Sequence, residues 1–499
     1  MRRFQPPPDA RSPNGRKTRW VGIAKSLRDA VATGRLAAGE WLPSTRELAV
    51  TFGVHRHTVQ LAVDVLVAEG LLETSPRRGV VVAAEPLRPS VGASRRSSRG
   101  FGGFKLARGS ERLRLTELPS AAAKAIPLHA ATPDVSLLPV AELRAAYAQT
   151  LRGSRVAALA SLDRRGLSAL RSEIVRYLRR ARALVAEDVI ITHGSQEGIA
   201  LVAQSLIEPG DAVAVEDPGY VPAVEAFRSL GADIVPIAVD AQGIRVDHLA
   251  ETLAKRRVKL LYVTPNHQFP TTVTLSSPRR AELLALTRRH DVAIIEDDYD
   301  HEYHYRGAPQ APLAAWKEAP HVLYVGTLSK LVAPGVRVGF LAGDATVLDA
   351  VARRRELTSR GNDGVTQAAL AVWMKDGGFE RHLRRARRTY AARRDAALQA
   401  LAEAAERVHF EHLPPDGGLA VWTRWPEHDV ASLAERALER GVLVLPEPPL
   451  RAARVGHGIR VAFGGVSESD FARGLERLVE AAKTRGAIRR MLPYSAKRG

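Results

Sequence analysis

Three stretches of this chain carry side chains whose types and spacing suit the chemistry of an aldehyde. Lys330 stands in Tyr324-Val-Gly-Thr-Leu-Ser-Lys-Leu-Val-Ala-Pro-Gly-Val-Arg337, just past a run apolar enough to be a buried strand. A lysine held there can lose its proton and form an imine, and α/β folds place their ligands at such strand ends. Thr327 and Ser329 add hydroxyls, and Arg337 adds a fork suited to a phosphate. Upstream, Thr192-His-Gly-Ser195-Gln196-Glu-Gly follows a strand and opens a helix, so its N–H groups and the Ser195 hydroxyl make a phosphate seat. Asp297, in Ala293-Ile-Ile-Glu-Asp-Asp-Tyr299, ends another buried run. A carboxylate is costly to bury there unless it meets a cation, and a protonated pyridine nitrogen is such a cation. Tyr299, two residues on along the same strand face, is placed to reach a ring hydroxyl.

A second chemistry sits near the N-terminus. Ser44 with Glu47 three residues on is a capping box before an apolar stripe. After Gly53, a further helix is expected from about His55 to Glu69, opening on His55-Arg56-His57-Thr58. A helix that starts on small or polar residues after a short turn suits the major groove of DNA. Arg56 can fork to guanine or to phosphate, and Arg46 sits at the start of the preceding helix, near the DNA backbone. Leu71-Leu-Glu-Thr, Pro76-Arg-Arg-Gly79 and Val80-Val-Val read as strand, turn, strand, with Arg77 and Arg78 at a hairpin tip that can reach a minor groove.

These residues need elements to position them. The 499-residue length predicts about two to four domains. There are no cysteines, which excludes disulfides, thiolate zinc sites and a cysteine nucleophile and fits a cytoplasmic setting. No apolar run approaches a membrane span, and prolines follow the basic N-terminus where a signal peptide would be apolar. The formal net charge is +19, and the first 110 residues hold 19 Lys and Arg against 8 Asp and Glu. That asymmetry favours a polyanion partner, although the far C-terminus is arginine-rich too. Residues 17–83 are expected to form a small helical module with a β wing, 84–127 a flexible linker, 128–483 the main body, and 484–499 a basic tail. Val189-Ile-Ile-Thr, Ala212-Val-Ala-Val-Glu, Ile234-Val-Pro-Ile, Leu260-Leu-Tyr-Val-Thr, Ala293-Ile-Ile-Glu and Val322-Leu-Tyr-Val-Gly are candidate strands of a mostly parallel sheet, buried on both faces. After about 365 a long Arg-rich helix leads into a smaller α+β part. His301-Glu-Tyr-His304 has the wrong spacing for a helical zinc pair, and no metal site is expected.

Taken together and in this order, Ser195-Gln196, Asp297, Tyr299 and Lys330 resemble the aspartate-aminotransferase-like pyridoxal-phosphate proteins of fold type I. Thr264-Pro-Asn-His-Gln-Phe-Pro-Thr, Glu296-Asp-Asp-Tyr-Asp, Gly326-Thr-Leu-Ser-Lys and Gly378-Phe-Glu-Arg-His-Leu-Arg-Arg-Ala-Arg are similar to one branch of them, the MocR regulators. Those join a GntR-type winged helix to an aminotransferase-like domain. The N-terminal Leu-Pro-Ser-Thr-Arg-Glu-Leu-Ala, Val-His-Arg-His-Thr-Val and Leu-Val-Ala-Glu-Gly-Leu-Leu resemble the GntR module.

The resemblance implies a winged helix-turn-helix (mostly α with a β wing) and an α/β fold type I body with a large mostly parallel-sheet domain and a small α+β domain. It implies pyridoxal 5'-phosphate as cofactor, with Lys330 making the Schiff base, Asp297 pairing with the ring nitrogen and Tyr299 bonding the ring hydroxyl. Ser195, Gln196, Ser329 and Arg337 would surround the phosphate, Tyr220 would lie against the ring, and Arg460 would take a substrate or effector carboxylate. It further implies double-stranded operator DNA as partner and a homodimer. The expected function is a transcription regulator sensing an amine, an amino acid or the cofactor itself. The rivals are a working aminotransferase with an accessory DNA module, and a cofactor-free dimeric scaffold. Four positions depart from the family pattern. Thr272 stands where glycine is usual and would be strained at positive φ, Phe269 stands where aminotransferases commonly place an asparagine, Leu328 replaces a frequent Phe, and Ser161 occupies the place of a common tyrosine.

Overall fold

The computed structural model describes residues 19–75, 78–84, 124–152, 163–361, 363–447 and 456–484. The chain divides into two compact units, Met1–Lys105 and Leu106–Gly499. Arg77, Ser161 and nearly all of the expected linker and basic tail lie outside the described residues.

In the first unit α1 (Arg19–Ala32), α2 (Thr45–Phe52) and α3 (Arg56–Ala68) precede the antiparallel pair β1 (Leu72–Ser75) and β2 (Gly79–Val82). Ile23, Leu27, Leu48, Phe52, Val59, Val63 and Leu66 meet in one core, as their helical spacing requires. The capping box forms: the Glu47 N–H donates to Ser44 Oγ at 3.3 Å, and the Ser44 N–H donates to Glu47 Oε2 at 2.8 Å. Gly53 ends α2 with φ +63, a left-handed turn that glycine takes without strain. Arg28 clamps Glu69 through its Nε (3.0 Å) and Nη2 (2.6 Å), tying α1 to the end of α3.

The second unit is built on an eight-stranded sheet. Its strands are β4 (Ile190–Thr192), β5 (Ala212–Asp217), β6 (Asp233–Asp240), β7 (Gly243–Ile244), β8 (Leu260–Val263), β9 (Ala293–Asp298), β10 (Val322–Thr327) and β11 (Gly339–Ala342), in the order β4-β11-β10-β9-β8-β5-β6-β7. Neighbours from β6 through β10 run parallel, whereas β11 is antiparallel to both β10 and β4 and β7 is antiparallel to β6. The sheet is therefore mixed. β11 was not among the expected strands, although Gly-Phe-Leu-Ala is wholly buried. β6 departs from expectation in another way: it is only partly buried, because just the two-residue β7 lies beyond it. Residues just past β5, β8, β9 and β10 gather at the carboxyl ends of the strands, where a doubly wound sheet leaves a crevice.

A four-stranded antiparallel sheet, in the order β12 (Glu411–His412), β13 (Ala420–Arg424), β16 (Gly458–Ala462) and β15 (Leu445–Pro446), forms a smaller core with Leu433, Leu475 and Leu478. The helix Gly378–Ala405 spans both cores: Phe379, Leu383 and Tyr390 pack in the larger one, Ala397 and Leu401 in the smaller. β3 (Ile126–Pro127) pairs with β14 (Val442–Leu443), so the first described residues of this unit join the small part.

Candidate cofactor site and nucleic-acid interface

Lys330 lies in the turn after β10. Ser329 N–H donates to Thr327 Oγ1 at 3.1 Å, which braces that turn and leaves the Ser329 hydroxyl buried without a partner. Lys330 Nζ donates to the Ala131 carbonyl at 3.0 Å. Burial pushes its ammonium down to about 8, aided by the Arg460 charge and opposed by Asp300 and Asp297. A lysine so tuned is partly neutral near pH 7 and ready to attack a carbonyl.

Asp297 sits near the end of β9. Tyr262 OH donates to its Oδ2 at 2.7 Å, but its Oδ1 is buried with no partner. Burial pushes this carboxyl up to about 7, against the lowering influence of Tyr262 and Lys330. The orphan oxygen calls for a donor or a cation, and a protonated pyridine nitrogen satisfies both needs. Asp298 and Asp300 also keep one buried oxygen each without a partner, but unlike Asp297 they stand against basic side chains. Asp298 accepts from Tyr324 OH at 2.7 Å and pairs with Arg182 and His301; although burial would raise it, those neighbours hold it well below the usual carboxylate range. Glu296 accepts from the Leu313 and Ala314 N–H groups. Asp300 bonds His267 at 2.6 Å, and against the effect of burial it keeps that imidazole above its ordinary value.

Ser195 begins the helix Ser195–Leu206 behind Gly194, whose φ is +79. Arg337, itself at φ +51, donates to the His193 carbonyl at 2.8 Å, and a Cβ on Gly194 would stand 3.2 Å from its guanidinium. A Cβ on Gly339 would lie 2.5 Å from the Gly194 carbonyl carbon, so Gly339 permits the close approach of the two segments. Gln196 donates to the Pro222 carbonyl at 2.9 Å while its Oε1 stays buried and unpaired. Tyr220 follows β5 and feels the charges of both Asp297 and Arg337; burial pushes its phenol up to about 12. Orphan acceptor, hydroxyls and helix N-terminus are thus the kinds of group that pyridoxal 5'-phosphate needs.

Two expected residues are engaged elsewhere. Tyr299 OH donates to the His267 carbonyl at 2.7 Å, so a ring hydroxyl would share that phenol. Arg460, buried on β16, has its guanidinium carbon 4.8 Å from the Phe269 ring centroid and its Nε without a partner. Thr272 has φ +64, the left-handed geometry expected for its place, at a cost of roughly 1–3 kcal/mol for a non-glycine residue. Four further residues stand among this group without a signal in the sequence that marks them. Ala131 acts through its carbonyl, which no residue type reveals. His129 lies near Lys330 with a buried, unpaired Nδ1. Asp300 is one acid among four, and Glu216 is a buried brace whose carboxylate accepts from Thr264 Oγ1 at 2.6 Å. His301 and His304 are used within the site, the first on Asp298 and the second stacked on His267. Among the described residues no cluster suited to a metal ion occurs.

In the first unit Arg46, His55, Arg56, His57 and Arg78 are exposed and Thr58 is half-buried. Arg56 Nε donates to Thr45 Oγ1 at 3.2 Å, which joins the starts of α2 and α3. Ser44 and His55 both cap helices, His55 by accepting the His57 N–H at 3.3 Å, so their side chains hold the helix starts before they can touch anything else.

The family model for aminotransferase class I and II matches residues 126–478, and that for bacterial regulatory proteins of the gntR family matches residues 21–82. The chain is 32% identical to the probable rhizopine catabolism regulatory protein MocR of Rhizobium meliloti over 74% of either chain. It is 33% identical to aromatic-amino-acid aminotransferase 1 of Thermococcus litoralis over 64% of this chain and 78% of that one. Among solved structures, a kynurenine aminotransferase of Pyrococcus horikoshii superposes with a TM-score of 0.71 at 28% identity, covering 76% of this chain and 96% of that one.

Proposed function

This chain belongs to the aminotransferase class I and II family and is a pyridoxal-phosphate-dependent regulator of the MocR/GntR type; from that premise we propose that it senses an amino acid at Lys330 and passes the signal to operator DNA. When bound, the cofactor supplies an aldehyde that condenses with amines. Lys330 would hold that aldehyde, Asp297 the ring nitrogen and Tyr299 the ring hydroxyl. Tyr220 would flank the ring, and Ser195, Gln196, Ser329 and Arg337 would take the phosphate. Arg460 would bind the effector's carboxylate. The observation that carries this reading is a buried Arg460 with no carboxylate paired to it among the described residues, beside a lysine whose proton is easily lost. A cation left unpaired in an interior costs free energy that an anionic ligand recovers.

The segment 126–134 supports a route for the signal. Ile126–Pro127 pairs with the small part, Ala462 N–H on the Arg460 strand donates to the Leu128 carbonyl at 2.8 Å, and Asp134 meets Arg393 at 2.6 Å. The same segment accepts from Lys330 through Ala131. An amine that displaces Lys330 while its carboxylate engages Arg460 therefore acts on both ends of one strap, which continues toward the linker of about residues 84–127. We further read the protein as a homodimer working in the cytoplasm, where its DNA is; among the described residues no helix is long and apolar enough to cross a membrane.

The test is a titration of the full-length, cofactor-loaded protein with amino acids, recording visible absorbance and operator-fragment binding together. Parallel shifts support the sensor. Coupling is reciprocal, so operator DNA must change effector affinity by the same factor; if it does not, the allosteric claim is wrong. A rival reading, a working aminotransferase, is favoured by the lowered pKa of Lys330, which would help it serve as a proton-transfer base. Sustained keto-acid release with flat DNA binding would establish that rival.

A further inference from the structure

Phe269 occupies an unusual place for an apolar ring. It follows β8 in a loop fixed on several sides. Its N–H donates to Thr264 Oγ1 at 2.9 Å, and Glu216 holds that same hydroxyl at 2.6 Å. Gln268 donates to the Phe269 carbonyl at 2.6 Å and to the Pro218 carbonyl at 2.8 Å. The left-handed Thr272 closes the turn, its N–H donating to the Gln268 carbonyl at 2.7 Å. One side of the ring meets Tyr220 edge-to-face, with centroids 5.2 Å apart. Another faces the Arg460 guanidinium, whose carbon lies 4.8 Å from the centroid. The loop belongs to the large sheet and Arg460 to the small one, so a single aromatic ring links the cofactor wall to the carboxylate site.

A guanidinium resting on an aromatic ring is attracted by the ring's negative face. The guanidinium carbon of Arg460 lies over the ring while its Nε stays without a partner, open to a carboxylate. A buried, flexible arginine with no anion beside it would otherwise sample other rotamers before a ligand arrives. We infer that Phe269 is a positioning residue that presents Arg460 for carboxylate capture and thereby sets the site's preference for amino acids over plain amines. The inference rests on the reading of Arg460 given above and adds the residue that makes Arg460 selective.

The test uses the full-length, cofactor-loaded protein and paired probes that differ only in a carboxylate: glycine against methylamine, and β-alanine or L-alanine against ethylamine. Half-saturating concentrations are read from the visible spectrum and by calorimetry, and their ratio measures the preference. Replacing the ring by an aliphatic side chain of similar bulk, F269L, is expected to lower the ratio about tenfold, and F269Y to restore it. A readout free of ligand accompanies it. The positive Arg460 lies close enough to depress the Lys330 nitrogen, while Asp300 and Asp297 raise it, and His129, His267, Tyr220 and Tyr299 line the same space. An Arg460 freed from the ring moves its charge away, so the pH midpoint of the visible band should rise in F269L and return in F269Y. If R460A removes the preference but F269L leaves both ratio and midpoint unchanged, the inference is overturned and the reading of Arg460 stands. If R460A leaves the preference intact, or no amino acid moves the wild-type spectrum, the reading of Arg460 falls and the inference with it.

Discussion

The two units handle charge in opposite ways. In the winged helix the cations that would meet DNA are exposed, and they are held outward by local devices: a capping box at Ser44, a histidine cap at His55 and a left-handed Gly53. In the cofactor site the charges are buried and some are left unpaired: Asp297 Oδ1, Arg460 Nε, and Lys330 with one carbonyl partner. The first arrangement suits a diffuse polyanion that pays in released counterions. The second suits one small, polar molecule that completes a prepared set of partners. Burial tunes ionisation in the second unit, and tuning is what imine chemistry needs.

The largest expected break in this contrast is K330A, which should abolish the visible band and every amino-acid response, read by absorbance, while operator-fragment binding persists. Loss of both would mean that the units do not act separately. Next, D297N should weaken cofactor binding by about 100-fold or more, because a buried charge partner is removed; equilibrium dialysis measures it, and an unchanged affinity would remove Asp297 from the site. Salt sharpens the comparison. Operator affinity should fall steeply as salt rises, with R56A reducing the slope by about 1, whereas amino-acid affinity in the buried site should respond far less.

A pH effect follows from burial. In the cofactor-free protein Glu216, Glu296 and Asp297 are pushed up to about 7 and Glu302 up to about 8, chiefly by desolvation. Each binds its proton more tightly folded than unfolded, so their contribution is full below the unfolded value near 4 and declines as pH rises toward 8. Thermal melts of that unit should fall across pH 5–8, and a flat profile would show that these acids are better solvated than their burial implies. Smaller still, S44A should cost the winged helix about 1 kcal/mol through its lost cap without moving the visible spectrum. T272G should change stability least, by about 1 kcal/mol or less: relief of left-handed strain is offset by a more flexible unfolded chain and lost burial.

Much of this molecule was legible from residue order. The capping box needed only Ser44 and Glu47, and the helix after Gly53 only its apolar spacing. The places of Ser195, Asp297 and Lys330 at or just past strand ends followed from the apolar run before each. Other features were not. Gly-Phe-Leu-Ala gave no hint that β11 runs antiparallel between β10 and β4, because direction depends on the connection and not on the strand's own residues. Asp297, Asp298 and Asp300 look alike in sequence and each keeps one buried oxygen without a partner, yet their other oxygens are used differently: Asp297 accepts from Tyr262, Asp298 pairs with Arg182 and His301, and Asp300 holds His267.

The sequence by itself determined which chemistry was possible: local caps, apolar periods and the order of lysine, acid and phosphate-seat motifs are set by neighbours within a few residues. Tertiary structure alone decided which of those groups stay unpaired and which partners tune them. The Ala131 carbonyl on Lys330 and the Phe269 ring beneath Arg460 are contacts across 199 and 191 positions of chain. Such contacts depend on how the sheets pack, and a carbonyl or a ring face leaves no mark in the spacing of residues that would announce its partner.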